Sequence, residues 1–414
     1  MAILRRGLAA RPKLPADFWR LWTGQTISQL GSSFTQFAIP LIVYDLTRSS
    51  TSLALSTVFV YAPYPMFGLM IGAWMDRVNR KRTMIVVDLL RSGVVSTIPL
   101  LVLMHVLNVG WIYAVGFVSS TLGLVFTAGE FAAIPSLVGR EDLVLANSRV
   151  EASYSAARVV GALLAGMMVS FAPISTVFLV DAGSFVVSAG MLSTIRRGFN
   201  DATEGPRRTT IRGDVRDGLR YVLRHPVLRT ISAMRVSVNL IAIIVFSQIV
   251  FFSKVRLRAS DARVGLVFAA GSLGVVVVSL AAGRLRRRVP YGRVLTSCIM
   301  AEGLLVLLLS GLRVYWAALV VWAGIQACES LYDINAASLR QSIVPNQMLS
   351  RVIAIAIVLA WSATPVGSLI GGIVIAATHN VALTFAMVGL AEFTLGLLFS
   401  FSAIAHADEY VPRS

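Results

Sequence analysis

Apolar residues in this chain run on for twenty residues or more between short polar connections, instead of alternating with polar ones at a core-and-surface period. Twelve such runs lie near 18–45, 50–74, 83–105, 110–138, 149–171, 174–195, 229–253, 262–283, 291–311, 314–338, 351–378 and 381–404. Runs of 18 or more are long for core strands and suit a bilayer whose hydrocarbon is about 30 Å thick. Hydrocarbon offers the backbone no partners, so each run is expected to be a helix. The alternating segments and tight-turn spacing of a barrel are missing. The pattern predicts an all-α polytopic membrane protein with twelve transmembrane helices.

The runs fall into two related halves. Gly72-Ala-Trp-Met-Asp76-Arg77-Val-Asn-Arg80-Lys81-Arg82 closes one run and opens the next, and a weaker copy, Gly283-Arg-Leu-Arg-Arg-Arg-Val-Pro-Tyr-Gly-Arg293, returns 211 residues later. Elsewhere the offset is 206: Ser136-Leu-Val-Gly matches Ser342-Ile-Val-Pro, and Gly161-Ala-Leu-Leu-Ala165-Gly166 matches Gly367-Ser-Leu-Ile-Gly371-Gly372. Such small residues let membrane helices approach closely. Parallel six-span repeats are a transporter plan, with the substrate between the halves. The expected division is 1–195, a six-helix bundle; 196–228, a linker; and 229–414, a second, pseudo-symmetric six-helix bundle.

Composition agrees with a membrane. The chain of 414 residues is 56% hydrophobic and 14% charged, against about 25% charged in soluble domains. Its net charge of +17 and pI near 10.9 would suit a nucleic-acid binder, but the distribution argues against that. With a cytoplasmic N-terminus, 27 of the 37 basic residues fall in cytoplasmic tails and loops. This positive-inside pattern puts both termini in the cytoplasm. One loop departs from it: Lys254, Arg256, Arg258 and Arg263 lie on the outer side, either because a helix is misplaced or because that mouth is basic. Residues 1–16 are basic rather than apolar and lack the pattern of a removable signal peptide. Arg outnumbers Lys 34 to 3, a compositional hint of a GC-rich bacterial genome.

In the linker, Asn200-Asp-Ala-Thr-Glu-Gly-Pro206 reads as a flexible connection. Arg212, Arg216, Arg220 and Arg224 then recur every four residues beside Ile211, Val215, Leu219 and Val222. This predicts an amphipathic basic helix on the cytoplasmic leaflet, near anionic headgroups.

The stretch Gly72-x-x-x-Asp76-Arg77-x-x-Arg80-Lys81-Arg82 resembles the signature loop of the major facilitator superfamily. Further stretches resemble its branch of bacterial macrolide-efflux proteins and the enterobactin exporter: Gly31-Ser-Ser-Phe-Thr35-Gln36 through Ser50, Ala133-Ile-Pro135-Ser-Leu-Val138, Ala146-Asn147-Ser148, Asp181-Ala-Gly-Ser-Phe185, and Gly218-Leu-Arg-Tyr221 to His225-Pro226. The resemblance implies a twelve-helix alternating-access carrier of the bacterial inner membrane. It implies export of a small molecule in exchange for protons, so the energy source is a proton gradient and no cofactor or metal is expected. It also implies that Gly72, Asp76, Arg77 and Arg80 form a latch closing the cytoplasmic side. Two features depart from the pattern. Arg287 stands at the acid's place in the second loop, and Arg158-Val-Val-Gly161 lacks the proline of the antiporters' fifth helix.

Polar residues inside the runs mark candidate sites. Gln25, Gln29, Ser32 and Gln36 share one helical face, and Gln326, Glu329 and Asp333 lie in one sector. Ser120, Gly123, Thr127 and Glu130 form a third stripe, and Ser232, Arg235 and Asn239 a fourth. By resemblance these stripes converge on one cavity, which gives Gln29, Gln36, Glu130, Arg235, Asn239, Gln326, Glu329 and Asp333 as its lining. Ionisable groups within spans are costly and mark function or pairing. Glu130, Glu329 and Asp333 are the candidates for proton coupling, because a desolvated carboxyl in a cavity exchanges protons near neutrality. Asp88 and Arg91, three apart, are expected to neutralise each other, and Arg158 and Asp181 to pair between helices. Glu302 and Glu392 have no assigned role.

An enzyme is disfavoured. His105, His225, His379 and His406 are scattered, no Gly-x-Ser-x-Gly elbow occurs, and none of Lys13, Lys81 and Lys254 follows a glycine, which excludes a phosphate-binding Gly-Lys loop. The leading expectation is proton-coupled export of an amphipathic drug, antibiotic or siderophore by a monomer embedded in membrane lipid. An importer of a small metabolite, a lysophospholipid flippase and a non-transporting sensor stay open.

Overall fold

The computed structural model describes residues 14–75, 77–138, 142–199, 211–286 and 289–410. Asp76, Arg287 and the 200–206 connection lie outside them. The helices are α1 (Ala16–Thr47), α2 (Ser50–Tyr61), α3 (Pro63–Met75), α4 (Arg80–Leu103), α5 (Val109–Leu137), α6 (Leu143–Phe171), α7 (Ile174–Thr194), α8 (Ile211–Arg224), α9 (Pro226–Val255), α10 (Asp261–Arg286), α11 (Tyr291–Gly311), α12 (Tyr315–Ile343), α13 (Asn346–Thr378) and α14 (Val381–Ser400). A 3₁₀ segment, Ala403–Tyr410, follows. No strand occurs among the described residues.

Nine of these helices are long and apolar enough to cross a membrane: α4, α5, α6, α7, α9, α10, α11, α13 and α14. The remaining expected spans differ for physical reasons. The run 50–74 is two helices, of 12 and 13 residues, because Pro63 lacks the N–H that would continue the ladder. Helices α1 and α12 are long, at 32 and 29 residues, but carry the polar stripes.

Local chemistry sets the helix ends. Ser49, Asn79, Asn108 and Asn380 each accept the N–H three residues on, capping α2, α4, α5 and α14. Pro226 opens α9, where its missing N–H costs nothing. The expected helix break near 254–261 is present, between α9 and α10.

The chain runs between a floor, where α1 begins and α14 ends, and a roof, where α1 ends and α2 begins. Helices α1, α4, α5, α6 and α7 pack on one another, as do α9, α11, α13 and α14, with α10 and α12 alongside. Near the floor each group has its own apolar cluster. One contains Phe18, Met84 and Phe126; the other contains Met234, Ile299 and Tyr332. Near the roof a single cluster spans both groups, joining Phe37 and Phe185 to Ile249, Phe252 and Val264. The groups are therefore fused at the roof and separate at the floor.

The repeated glycines explain the approach. Gly161 lies against Ser33 of α1, and its counterpart Gly367 against Ile243 of α9. Gly166 meets Gly265 of α10 across the divide, where an added Cβ would stand 2.7 Å from the partner Cα. Gly372 meets Ala54 of α2 in the same way, at 2.5 Å. Each copy of the motif thus packs once within its own group and once across to the other.

The linker helix α8 docks on α9 and α13. Val222 is buried there with Leu228, Val344 and Val352. Arg216, Arg220 and Arg224 are exposed, and so are Leu219 and Leu223 beside them.

Candidate substrate pathway

On one face of α6 an open groove is lined by Asn147, Ser148, Glu151, Ala152 and Ser155, with a volume near 470 Å³. Arg158 on the same face pairs with Glu151 at 3.7 Å. The expected Arg158–Asp181 pair does not form: Asp181 is buried on α7, where the Ser184 hydroxyl donates to it at 3.5 Å.

In the first group the polar stripe of α1 is tied into a network. Gln25 is buried and donates to Ser188 Oγ at 3.5 Å. The Tyr154 hydroxyl on α6 reaches Gln25 Oε1 at 3.4 Å and makes a short hydrogen bond to Glu130 Oε2 on α5. Glu130 is 4% exposed. Arg91 on α4 donates to Ser32 Oγ at 3.3 Å, stacks over Phe185 at 4.0 Å, and stands 4.0 Å from Asp88. The expected Asp88–Arg91 neutralisation is thus a long contact, and Arg91 also serves α1 and α7. Gln29 is half-buried and Gln36 exposed.

In the second group Arg235 of α9 meets Asp333 of α12 at 2.8 Å and stacks over Tyr332 at 5.4 Å. Glu329, one turn earlier on α12, lies within electrostatic reach of both. Asn239 donates to the Ala360 carbonyl at 2.9 Å, tying α9 to α13. Gln326 is drawn toward α10, its Cγ beside Gly271.

Sequence spacing missed an aromatic platform between the groups. Tyr61 of α2 stacks on Trp361 of α13 at 5.0 Å, and Tyr64 joins at 5.5 Å. Tyr61 also lies within reach of Glu329. The doubled proline around Tyr64 was the available signal, since it breaks the helix where the rings sit.

The basic hairpin acts as a staple at the floor. Arg80 donates to the carbonyls of Ala132 and Phe199 at 3.3 and 3.0 Å, and Lys81 to those of Ile195 and Ser193 at 2.5 and 3.2 Å. Cations at helix C-termini satisfy the last carbonyls and the negative end of the dipole. Arg77 is exposed, and Gly72 lies in α3. At the roof, Lys254 pairs with Asp261 and faces the Tyr44 ring, and Arg263 stacks over Tyr315 at 5.4 Å. Part of the basic outer loop is thus neutralised or seated on rings.

Comparison with known proteins agrees with this architecture. Residues 12–413 match the transmembrane secretion effector family of the major facilitator superfamily. The multidrug efflux pump Tap of Mycolicibacterium fortuitum is 24% identical over 381 residues, 90% of this chain and 92% of that protein. Macrolide efflux protein A of Streptococcus pyogenes is 26% identical over 179 residues, and the match spans 44% of its length and 43% of this chain. A crystal structure of a bacterial homologue of the human lysosomal transporter Spinster, inward-facing and unoccupied, superposes with a TM-score of 0.72 at 12% identity, covering 95% of this chain and 97% of that one. The chain belongs to the transmembrane secretion effector family of the major facilitator superfamily.

Proposed function

We propose that this protein exports an amphipathic small molecule, a drug, antibiotic or siderophore, in exchange for protons. Twelve spans in two six-helix bundles, residues 1–195 and 229–414 joined by 196–228, would cross a bacterial inner membrane with both termini in the cytoplasm. The floor is then cytoplasmic, and the conformation described is open inward.

The observation that carries this reading is the Tyr61–Tyr64–Trp361 platform beside Glu329 and the Arg235–Asp333 pair. Stacked rings offer apolar area and a π face, which suits the flat or greasy part of an amphipathic molecule. The neighbouring carboxyls supply the polar end and the protons. The relatives named for macrolide and multidrug efflux support export.

Alternating access follows from the roof. At the roof Gly166–Gly265 and Ala54–Gly372 bring the two groups into backbone contact beside the shared apolar cluster, and the groups would part there while the floor closes. Glu130, Glu329 and Asp333 would take protons in one state and release them in the other. The Gly72–Asp76–Arg77–Arg80 hairpin would latch the floor, anchored to the first group by the Arg80 contacts with α5 and the segment after α7.

The test is a susceptibility panel in an efflux-deficient host, with and without a protonophore, followed by uptake into vesicles of both orientations. Protection that the protonophore abolishes is the expected result. Accumulation of drug only in right-side-out vesicles would overturn export. Asp76→Asn is expected to impair transport while leaving insertion intact.

A further inference from the structure

Helices α11 and α14 carry two carboxyls that the central pathway does not use. Glu302 is 3% exposed and Glu392 0%. They face one interface, and at their level the two backbones touch. A Cβ added at Gly303 would lie 2.6 Å from the Gly389 carbonyl oxygen and 3.1 Å from Glu392 Cβ. The close contact extends from Gly396 beside Thr296 to Gly389 beside Leu307.

The surroundings hold little to neutralise two charges. Glu392 is the only charged residue of α14, and Arg293 the only cation of α11. Nine residues separate Arg293 from Glu302, about 13 Å along the axis. Neither carboxylate oxygen of Glu392 has a hydrogen-bond partner. The charged groups within reach are Glu392, Glu329, Asp333 and Arg235 around Glu302, and Glu329 around Glu392. Arg235, the sole cation among them, is engaged by Asp333 at 2.8 Å. The remaining charged neighbours are acids, and the uncharged titratable groups Cys298, Cys328 and Tyr332 also lie within reach of Glu302.

Two ionised carboxylates cannot share a dry interface without a counter-charge. We propose that Glu302 and Glu392 form a buried carboxyl pair that holds one shared proton between α11 and α14, a proton site apart from the central cavity. One carboxyl keeps its O–H and donates it to the other, which gives one of the orphaned oxygens of Glu392 a partner. Glu329 links the pair to the cavity. That link matters for transport only if the proton-coupled reading above holds; occupancy by a proton does not depend on it.

Infrared spectroscopy of the purified full-length protein in lipid nanodiscs tests the pair. It follows the carbonyl stretch of protonated carboxyl groups as pH is raised. Wild type is expected to keep such a band at neutral pH. Glu302→Gln and Glu392→Gln should each remove one component of that band or move its midpoint at least tenfold in proton concentration, and the double variant should lack that component. A band unchanged in both single variants would overturn the proposal. So would a wild-type band displaced by sodium or potassium, since the occupant would then be a metal cation. Thermal unfolding of each variant checks that it is folded, and the two isosteric variants guard against loss of either one. Export assays separate the two readings. Band changes with unaltered pH dependence of export would leave the proton pair standing and detach it from transport. Export insensitive to a protonophore in wild type would sink proton coupling and leave the band untouched.

Discussion

Arg235 and Asp333 face each other at 2.8 Å across α9 and α12, the guanidinium mostly covered and the carboxylate half exposed. The geometry sets Asp333 as the counter-charge of a largely buried arginine as well as a group that protons and substrate can reach. Asp333→Asn leaves Arg235 uncompensated. Between the limits for exposed and buried pairs, the expected loss is about 1–2 kcal/mol of stability. Export should fall about tenfold, the equivalent of roughly 1.4 kcal/mol in the barrier, with a flatter pH profile. Adding Arg235→Gln should restore the melting temperature without restoring export. Export with the wild-type pH profile in Asp333→Asn would move proton coupling elsewhere.

Tyr154 and Glu130 carry the matching argument in the first group. The hydroxyl is the donor that holds the Glu130 carboxyl in place between α5 and α6. Tyr154→Phe removes that donor together with its longer contact to Gln25, and a hydrogen bond to a charged acceptor is worth about 1.5–3 kcal/mol. The expected phenotype is a shifted pH optimum of export with the protein still folded. Glu130→Gln, which keeps the shape and removes the titration, should reduce the response to a pH gradient further. Equal pH profiles in all three proteins would assign the pair to packing.

Long apolar runs are legible in a single sequence because hydrocarbon permits few backbone solutions, and the all-helical character of the chain follows from them. The same rule hides where a run breaks: 50–74 looks continuous until Pro63 interrupts its ladder. Polar stripes were legible by spacing, so Gln25 and Ser32 both bond to neighbouring helices, Gln25 to Ser188 of α7 and Ser32 to Arg91 of α4. Partners across helices were not. Arg158 takes Glu151 on its own helix rather than Asp181, and Tyr154 gave no warning that it would reach Glu130. Spacing along one helix says which residues share a face; which other helix that face meets depends on tertiary packing. Trp361 and Tyr61 are about 300 residues apart in sequence, as the numbering gives, and only the fold stacks them.

Asp17 offers a test at the floor, at the tip of α1 outside the apolar run. It accepts the backbone N–H groups of Arg197 and Arg196 at 3.1 and 3.3 Å and the Arg20 guanidinium at 2.7 Å. Burial pushes its pKa up, but the hydrogen bonds from Arg197, Arg20 and Arg196 outweigh this and hold it below its ordinary 3.8. A carboxyl with a lowered folded pKa stabilises fully above the unfolded value, and that contribution fades as pH falls through the folded one. Asp17→Asn should therefore lower the melting temperature at neutral pH, and the difference from wild type should close below pH 3.8. A gap that persists in acid would show that the carboxylate's charge is not what ties α1 to the segment after α7.

Gly166 and Gly265 make the roof the most sensitive place for a single methyl group. An added Cβ at Gly265 would lie 2.5 Å from the Gly166 Cα, and ordinary contact begins near 3.4 Å. Gly265→Val must push α6 and α10 apart, at a cost of about 1–3 kcal/mol in the roof-closed state. A state with the roof parted escapes that cost, and 1–2 kcal/mol shifts a two-state population by a factor of about 5–30. The readout is a cysteine at Val264, buried in the fused cluster, in a background where Cys298 and Cys328 are replaced by serine. A membrane-impermeant thiol reagent should label it several-fold faster when Gly265 is valine. Because the carrier would then linger with its roof open, export should slow as well. Gly183→Ala serves as the control, since nothing lies within 4 Å of its added methyl. Labelling and export at wild-type rates in Gly265→Val would mean the glycine contact is not what closes the roof, and the rocking of one group against the other would need a different pivot.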